Sequence, residues 1–569
     1  MRASSFPSEP LEGPAALGAR VAGAGRATWP TALVLLAVVL FVRLIYLIWL
    51  SPYELAADEA YYWQQGRHLD WCYSEKGPVL AWTVALCTRL FGDTEWAVRL
   101  PVLVAYGLAA WGVGRLAVAL ARGDERAGFF AVVAFLLIPA YAGNSQFCTQ
   151  DGLLLPVLVA LTALGLRLFR RWRAGLGTWR EWLLLWMLLG VAMLVKQPLF
   201  LLGIAVYVLL ARRSLRFDWT FLVQQLAGIA VFLAVVSPMI LWNRAHGWPM
   251  LSHTLGHMAG AGDQAGHVNK GNPLLWVGST VGGLAAAIGP GALILMIWAS
   301  RRAMTTRVSD DERWFDRLWI MCAAWPPVLF FVLLSFFKPV IASWPLASAV
   351  PLVALAAEFV MVELPRRLSG AAGEPREGPT AFHRVWGFTI VYGIAGILLL
   401  SFPTPLARLP VVGARFEKSL VKRIKGHREA AADLRQVLES LQTPDGRPPR
   451  VVTRHYSQAV LYSFYLSDHQ VVSTAGKYLG RRATTLDVWD DTRLDNPDLL
   501  GRSLLLVNLQ GNVPRARAKI LANVVVPWEA ALRFDEIKPV DEGRFALATN
   551  FRGPRADHVV DTGDDTDEP

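Results

Sequence analysis

Asp58 and Glu59 stand side by side within Leu55-Ala-Ala-Asp-Glu-Ala-Tyr-Tyr-Trp63, just past the first strongly apolar run of the chain. Neither residue starts a recognisable helix cleanly. Two like charges in sequence are unfavourable unless a cation or hydrogen-bond donors meet them. A carboxylate so placed can take the proton from an acceptor hydroxyl, provided the hydroxyl comes within hydrogen-bond reach. Other polar residues recur at the edges of later apolar runs: Tyr62, Glu75 and Lys76, Gln150 and Asp151, Lys196, Asn243 and His246, and Lys338. Lysines at headgroup depth can neutralise a phosphate as it leaves, acting as point charges.

Each of these residues also has a plainer reading. Asp151 begins a helix, where a carboxylate gains about 0.3–1 kcal/mol from the helix dipole. Lys196 and Lys338 can snorkel to headgroups, and Tyr61, Tyr62 and Trp63 suit an interfacial aromatic belt. His253, His257 and His267 accompany His246, and the first two have the i, i+4 spacing of metal ligands, but no third acid or cysteine lies nearby in sequence.

The elements that must position these groups follow from composition. The 569 residues are 54% hydrophobic and 18% charged, with 23 Trp, and the mean hydropathy is +0.36. That balance excludes a soluble globule and describes a polytopic all-α membrane domain, each crossing needing about 20 apolar residues. Eleven runs are expected: Thr31–Leu50, Val98–Ala121, Ala127–Ala142, Leu153–Phe169, Trp182–Leu194, Leu199–Ala211, Phe221–Trp242, Leu274–Ala299, Leu318–Phe336, Val340–Met361 and Trp386–Ser401. Val79–Phe91 is apolar but only thirteen residues long, which fits an interfacial or re-entrant helix.

Arginine fixes the expected orientation, because cytoplasmic loops carry the Lys/Arg excess. Arg122/Arg126, Arg167 to Arg180, Arg212 to Arg216, Arg301 to Arg317 and Arg366 to Arg384 all fall on one side of the eleven-run count. With that side cytoplasmic, the acidic and lysine positions above all fall on the exoplasmic side of an inner, multi-pass membrane protein. Their clustering on one face points to a pocket for a charged substrate, since ionisable groups at a membrane boundary need partners, a cavity or a ligand. The net charge of +11 is explained by topology and anionic-lipid contact and calls for no nucleic acid. No cleavable signal peptide is expected.

Four expected regions divide the chain: a disordered cytoplasmic tail over 1–30, the membrane domain over 31–402, a small exoplasmic α/β domain over 403–555 and an acidic disordered tail over 556–569. In the third, Glu417–Gln442 reads as an amphipathic helix, and Arg450–Thr453, Gln470–Ser473, Leu504–Asn508 and Phe545–Asn550 read as strands. Four cysteines give no disulfide framework and no zinc motif, although Cys72 and Cys148 share one side of the membrane.

Ala57-Asp-Glu-Ala-Tyr-Tyr-Trp63 followed by Asp70-Trp-Cys-Tyr-Ser-Glu-Lys-Gly-Pro78 resembles the first outside loop of the GT-C membrane glycosyltransferases. The nearest groups are the bacterial relatives of the dolichyl-phosphate-mannose protein mannosyltransferases and the aminoarabinose transferases of lipid A. Thr149-Gln-Asp151, Val195-Lys-Gln-Pro198, Leu241-Trp-Asn-Arg-Ala-His-Gly-Trp248, Lys338 with Ser343-Trp-Pro345, and Tyr456-Ser-Gln-Ala extend the similarity over roughly residues 30–510. Gly77-Pro78 and Ser343 depart from the Pro-Pro and Asn common in those families. The resemblance implies transfer of a sugar from a polyprenyl-phosphate donor to a glycolipid such as lipid A, a polysaccharide or a protein hydroxyl. It further implies Asp58 as the acceptor-activating base, Glu59 and Asp151 organising the acceptor side, and Lys76, Lys196 and Lys338 on the donor phosphate. Some GT-C enzymes use a divalent cation and others none, so a metal stays open.

Two other readings compete. A flippase or secondary transporter of lipid-linked sugars would place its polar residues near mid-membrane and on both faces, and no internal repeat is visible. A non-catalytic envelope scaffold would tolerate Asp58→Asn.

Overall fold

The computed structural model describes residues 28–196, 199–252, 272–305, 311–363, 379–403, 424–508 and 528–555. Residues 1–27 and 556–569 of the expected tails, Gln197, the histidines at 253, 257 and 267, and the start of the expected 417–442 helix lie outside the described residues, while Trp29 and Pro30, expected in the first tail, already belong to a helix.

Helix α1 (Trp29–Ile45) begins with proline in its first turn and runs on as a wider π turn to Leu50. The loop behind it carries α2 (Ala57–Arg67) and α3 (Val79–Phe91), the latter being the expected short apolar helix. There follow α4 (Glu95–Leu120), α5 (Glu125–Leu136), α6 (Pro139–Gly143), α7 (Gln150–Arg173), α8 (Trp179–Val195), α9 (Phe200–Ala211) and α10 (Trp219–Ala245). Beyond the undescribed segment come α11 (Pro273–Ile288), α12 (Pro290–Thr305), α13 (Asp311–Leu334), α14 (Ser343–Leu346), α15 (Pro351–Glu358) and α16 (Pro379–Ser401).

Among the described residues six helices are long and apolar enough to cross a bilayer, or up to eight if each of two bent pairs makes one span. The bends are 98° between α11 and α12, at Gly289-Pro290, and 45° where Ser343–Ala349 meets Pro351–Met361. The chain is therefore an integral membrane protein. Eleven spans are not established, because the runs expected over Ala127–Ala142, Trp182–Leu194 and Leu199–Ala211 form helices of 12, 17 and 12 residues. The first breaks before Pro139, whose missing N–H and fixed φ start a new helix rather than continue the old one.

Close packing follows from small residues, as expected where lipid supplies little hydrophobic drive. A Cβ on Gly203 of α9 would stand 2.3 Å from the Cys322 carbonyl oxygen of α13, so only glycine permits that backbone approach. Trp319, buried among Phe169, Phe200 and Tyr207, donates its indole N–H to the Thr162 carbonyl at 2.8 Å.

The C-terminal region forms a five-stranded sheet in the order β2-β1-β3-β6-β5, made from β1 (Arg450–Thr453), β2 (Ser473–Thr474), β3 (Leu504–Val507), β5 (Glu536–Val540) and β6 (Phe545–Thr549). β1 runs parallel to both β2 and β3, while β6 is antiparallel to β3 and β5. β4 (Leu532–Arg533) and β7 (Gly553–Pro554) form a separate antiparallel pair. Helices α17 (His427–Ser440) and α18 (Tyr456–Tyr465) flank it. Buried residues of α17, α18 and the sheet share one apolar cluster with Tyr61, Tyr62 and Trp63 of α2, so this region sits directly on the first loop. The Tyr465 hydroxyl accepts from the Leu55 backbone N–H at 2.6 Å and donates to Glu95 at 2.7 Å, and the Trp63 ring meets Phe464 edge-on.

Candidate active site

Asp58 and Glu59 lie in the first turn of α2, which corrects the expectation that neither begins a helix. The Glu59 carboxylate reaches back to the Ala56 backbone N–H at 3.0 Å, supplying the reciprocal half of a capping arrangement. The two carboxylates do not act as a pair, because successive residues on a helix point about 100° apart. Each meets its own cation.

Glu59 is 1% exposed and is gripped by Arg99 of α4 through two short bonds, Nε to Oε1 at 2.9 Å and Nη2 to Oε2 at 2.8 Å. Its Oε1 also accepts from the Cys148 backbone N–H at 2.7 Å. Arg99 donates further to the carbonyls of Tyr53 and Glu54. Glu59 thus ties the first loop, α4 and the segment before α7 into one rigid seat.

Asp58 faces the other way, with its side chain 61% exposed and Oδ1 3.8 Å from Lys76 Nζ. Lys76 donates to the Tyr62 hydroxyl at 2.6 Å, and the Tyr62 ring lies under the ammonium at 4.5 Å. Burial works against the Lys76 charge, but Asp58 and Tyr62 outweigh it and raise the ammonium pKa, so the lysine stays cationic. Burial likewise pushes the Tyr62 phenol up, Lys76 opposing.

Behind them Glu75 is buried and accepts from the Tyr61 hydroxyl at 3.0 Å. Thr485 and Arg482 approach it from the C-terminal region at 3.4 and 3.9 Å. Burial raises the Glu75 carboxyl, and Arg482 and Tyr61 pull the other way. Tyr456, whose ring contacts Tyr61 at 5.3 Å, is pushed up to about 12, first by burial and then by the charge on Asp58.

Asp151 sits in the first turn of α7 behind an N-cap, Thr149, whose hydroxyl accepts from Gly152. It accepts from Lys196 Nζ at 2.7 Å, a contact across two helices. Gln150 is the first residue of α7, and its buried Nε2 has no hydrogen-bond partner. Gly77 brings this pair close to the loop, because a Cβ there would stand 2.1 Å from the Leu194 carbonyl oxygen. That contact is the physical reason for glycine at the position where the resembling families carry proline.

Asn243 is buried and holds the loop after α10, donating to Cys72 Sγ at 3.3 Å and the Met239 carbonyl at 3.1 Å while accepting from the Met250 N–H at 3.2 Å. His246 stacks on Trp242 at 4.1 Å and its Nδ1 meets the Trp242 carbonyl at 2.8 Å. Trp242 itself donates to Asp70 at 2.6 Å, so this segment buttresses the first loop. Lys338 follows α13, its ammonium 5.9 Å from the Trp344 ring centre, and burial lowers its pKa. All four cysteines are free.

The structure therefore joins Asp58, Tyr62 and Lys76, pairs Asp151 with Lys196 beside them, and turns Glu59, Asn243 and His246 to structural bonds. Arg99, Tyr61, Tyr456, Arg482 and Thr485 enter the site unforeseen. An arginine one residue into the Val98–Ala121 run was the only available signal for Arg99; Tyr61 read as an interfacial aromatic, and Tyr456, Arg482 and Thr485 belong to a region whose docking no spacing reveals. Among the described residues no three His, Cys, Asp or Glu side chains gather where they could hold a metal ion. Asp58 already faces an ammonium, a poor neighbour for a divalent cation, so the donor set among the described residues does not fit a resident metal.

ArnT from Cupriavidus metallidurans bound to undecaprenyl phosphate matches with a TM-score of 0.55 and 17% identity, over 91% of this chain and 98% of that one. The apo form of the same protein matches with a TM-score of 0.53 and 15% identity, over 91% and 97%. Residues 75–242 match the family model described as dolichyl-phosphate-mannose-protein mannosyltransferase. The chain carries the GT-C fold. No curated protein matches this chain by sequence. The family-model match begins at Glu75 and Lys76 and closes at Trp242, so it takes in the Lys76, Asp151 and Lys196 positions but not Asp58.

Proposed function

We propose that this GT-C chain transfers a sugar from a polyprenyl-phosphate carrier to a hydroxyl-bearing acceptor on the exoplasmic face of the inner membrane, with residues 403–555 as a domain covering the site. The observation that carries this reading is the half-open carboxylate of Asp58 beside the retained charge of Lys76, on a fold shared with a protein solved with undecaprenyl phosphate. The acceptor oxygen attacks the anomeric carbon while Asp58 takes its proton. The bond from that carbon to the phosphate oxygen breaks, and the electron pair leaves with the polyprenyl phosphate. Lys76 would stabilise that developing anion, with the Tyr62 hydroxyl fixing the ammonium. Asp151 and Lys196 form the adjoining wall. Lipid A or another glycolipid, a polysaccharide and a protein hydroxyl all satisfy this chemistry.

The test is transfer in vitro from a synthetic polyprenyl-phospho-sugar to mixed envelope acceptors. Asp58→Asn should slow transfer at least about a hundredfold, the scale of a lost general base. An unchanged rate would remove Asp58 from the mechanism and favour the scaffold reading. Orientation is tested separately with a thiol reagent that does not cross membranes. Cysteine placed at exposed Trp71 or Ala245 should label in intact spheroplasts, whereas cysteine at exposed Ala174 should label only after lysis.

A further inference from the structure

The opposite end of α7 carries a second charged assembly that the transfer reaction does not use. Twenty residues separate Asp151 from Arg171 on this helix, which places the two ends about 30 Å apart, on opposite membrane boundaries. At the far end a cavity of about 580 Å³ opens between the ends of α7, α9 and α13, walled by Arg170, Arg171, Arg173, Ser214, Glu312 and Phe315.

The wall is built rather than incidental. Asp316, 2% exposed, accepts from Arg170 at 2.8 Å and Arg173 at 3.2 Å, and Arg122 stands at 3.2 Å. Arg173 is fixed further by the Tyr207 hydroxyl at 2.7 Å and by the Phe315 ring at 4.6 Å. Arg167 and Arg171 share Glu181 at 3.1 and 3.5 Å, and Arg122 also reaches Glu312 at 3.2 Å. In these contacts five guanidinium groups meet three carboxylates, and of these groups Arg170, Arg171 and Arg173 line the cavity with Glu312 as the one carboxylate. Positive charge held in place by buried carboxylates favours an anion with several acceptor oxygens, and a phosphate matches the guanidinium fork.

The surroundings select the source of that phosphate. Leu176, Trp179, Phe217 and Trp219 are exposed on the segments flanking the cavity, an apolar and aromatic border of the kind found at headgroup depth. We propose that this cavity binds the phosphate of an anionic glycerophospholipid from the leaflet opposite the Asp58 site, anchoring α7, α9 and α13 at that boundary. Basic pockets between spanning helices are suited to such headgroups.

The experiment uses the full chain in neutral detergent and follows its melting temperature during titration with short-chain phosphatidylglycerol, short-chain phosphatidylcholine or inorganic phosphate. Phosphatidylglycerol should raise the midpoint saturably, with phosphatidylcholine and inorganic phosphate having little effect. Arg171→Gln should require about fivefold more phosphatidylglycerol for the same shift, the scale of one basic side chain at an anionic surface. Ser214→Asp, which adds a carboxylate to the wall without touching the arginine bonds, should weaken the response similarly. An equal response to inorganic phosphate would overturn the lipid assignment, and an equal response to phosphatidylcholine would overturn anion recognition. A phosphatidylglycerol response unchanged in both variants would overturn the cavity as the site.

Discussion

The two faces of α2 take neighbouring carboxylates to opposite ends. Glu59 turns inward to a guanidinium that is itself buried, and it also accepts from the backbone N–H groups of Ala56 and Cys148. Asp58 turns outward to a lysine at longer range and leaves most of its surface open. The difference teaches that an acidic pair in sequence need not be an acidic pair in space. One member builds the seat and the other occupies it.

The largest effect should come from the inward face. Glu59→Gln leaves the Arg99 charge buried without its counter-ion, and breaking such a pair costs about 3–5 kcal/mol. Denaturant midpoints of the purified variant should fall accordingly; a midpoint near wild type would mean that the Arg99 backbone bonds hold the seat alone. Asp58→Asn should show the reverse pattern, with the hundredfold loss of transfer and a stability within about 0.5 kcal/mol of wild type, as for exposed substitutions away from packing. Comparable stability losses in the two variants would erase the distinction between the faces.

The smallest effect concerns Glu75, where the first loop meets the C-terminal region. Burial raises its folded-state pKa, so the folded protein holds this proton to higher pH than the unfolded chain does. Its contribution to stability is complete below the ordinary carboxylate value of about 4.3 and is lost as pH rises through the raised folded value. Melting temperatures of wild type should therefore decline over that window relative to Glu75→Gln, which has no proton to lose. Parallel pH profiles for the two proteins would assign the decline to other groups.

Much of the architecture was legible because apolar length is a local property. The runs at Thr31–Leu50, Leu153–Phe169 and Phe221–Trp242 each fall within a long apolar helix, and the thirteen-residue helix Val79–Phe91 has the same ends in both readings. Three short runs did not become long helices, because proline and chain reversals set their lengths rather than hydropathy. In the C-terminal region β1 was legible to the residue, while the strand expected at Gln470–Ser473 is found at Ser473–Thr474, sharing only Ser473 with it, at the edge of the sheet beside β1.

The sequence by itself determined that the chain lives in a membrane and which carboxylates and lysines were available for chemistry, since these depend on composition and on spacing along one strand of chain. Only the tertiary structure decided that Arg99 claims Glu59 and leaves Asp58 to Lys76, that Gly77 must pass the Leu194 carbonyl, and that Arg482, Thr485 and Tyr456 arrive from some four hundred residues away. Those choices turn on side-chain direction and backbone approach at contacts between remote segments, where a change of about an ångström decides which partner a charge can reach.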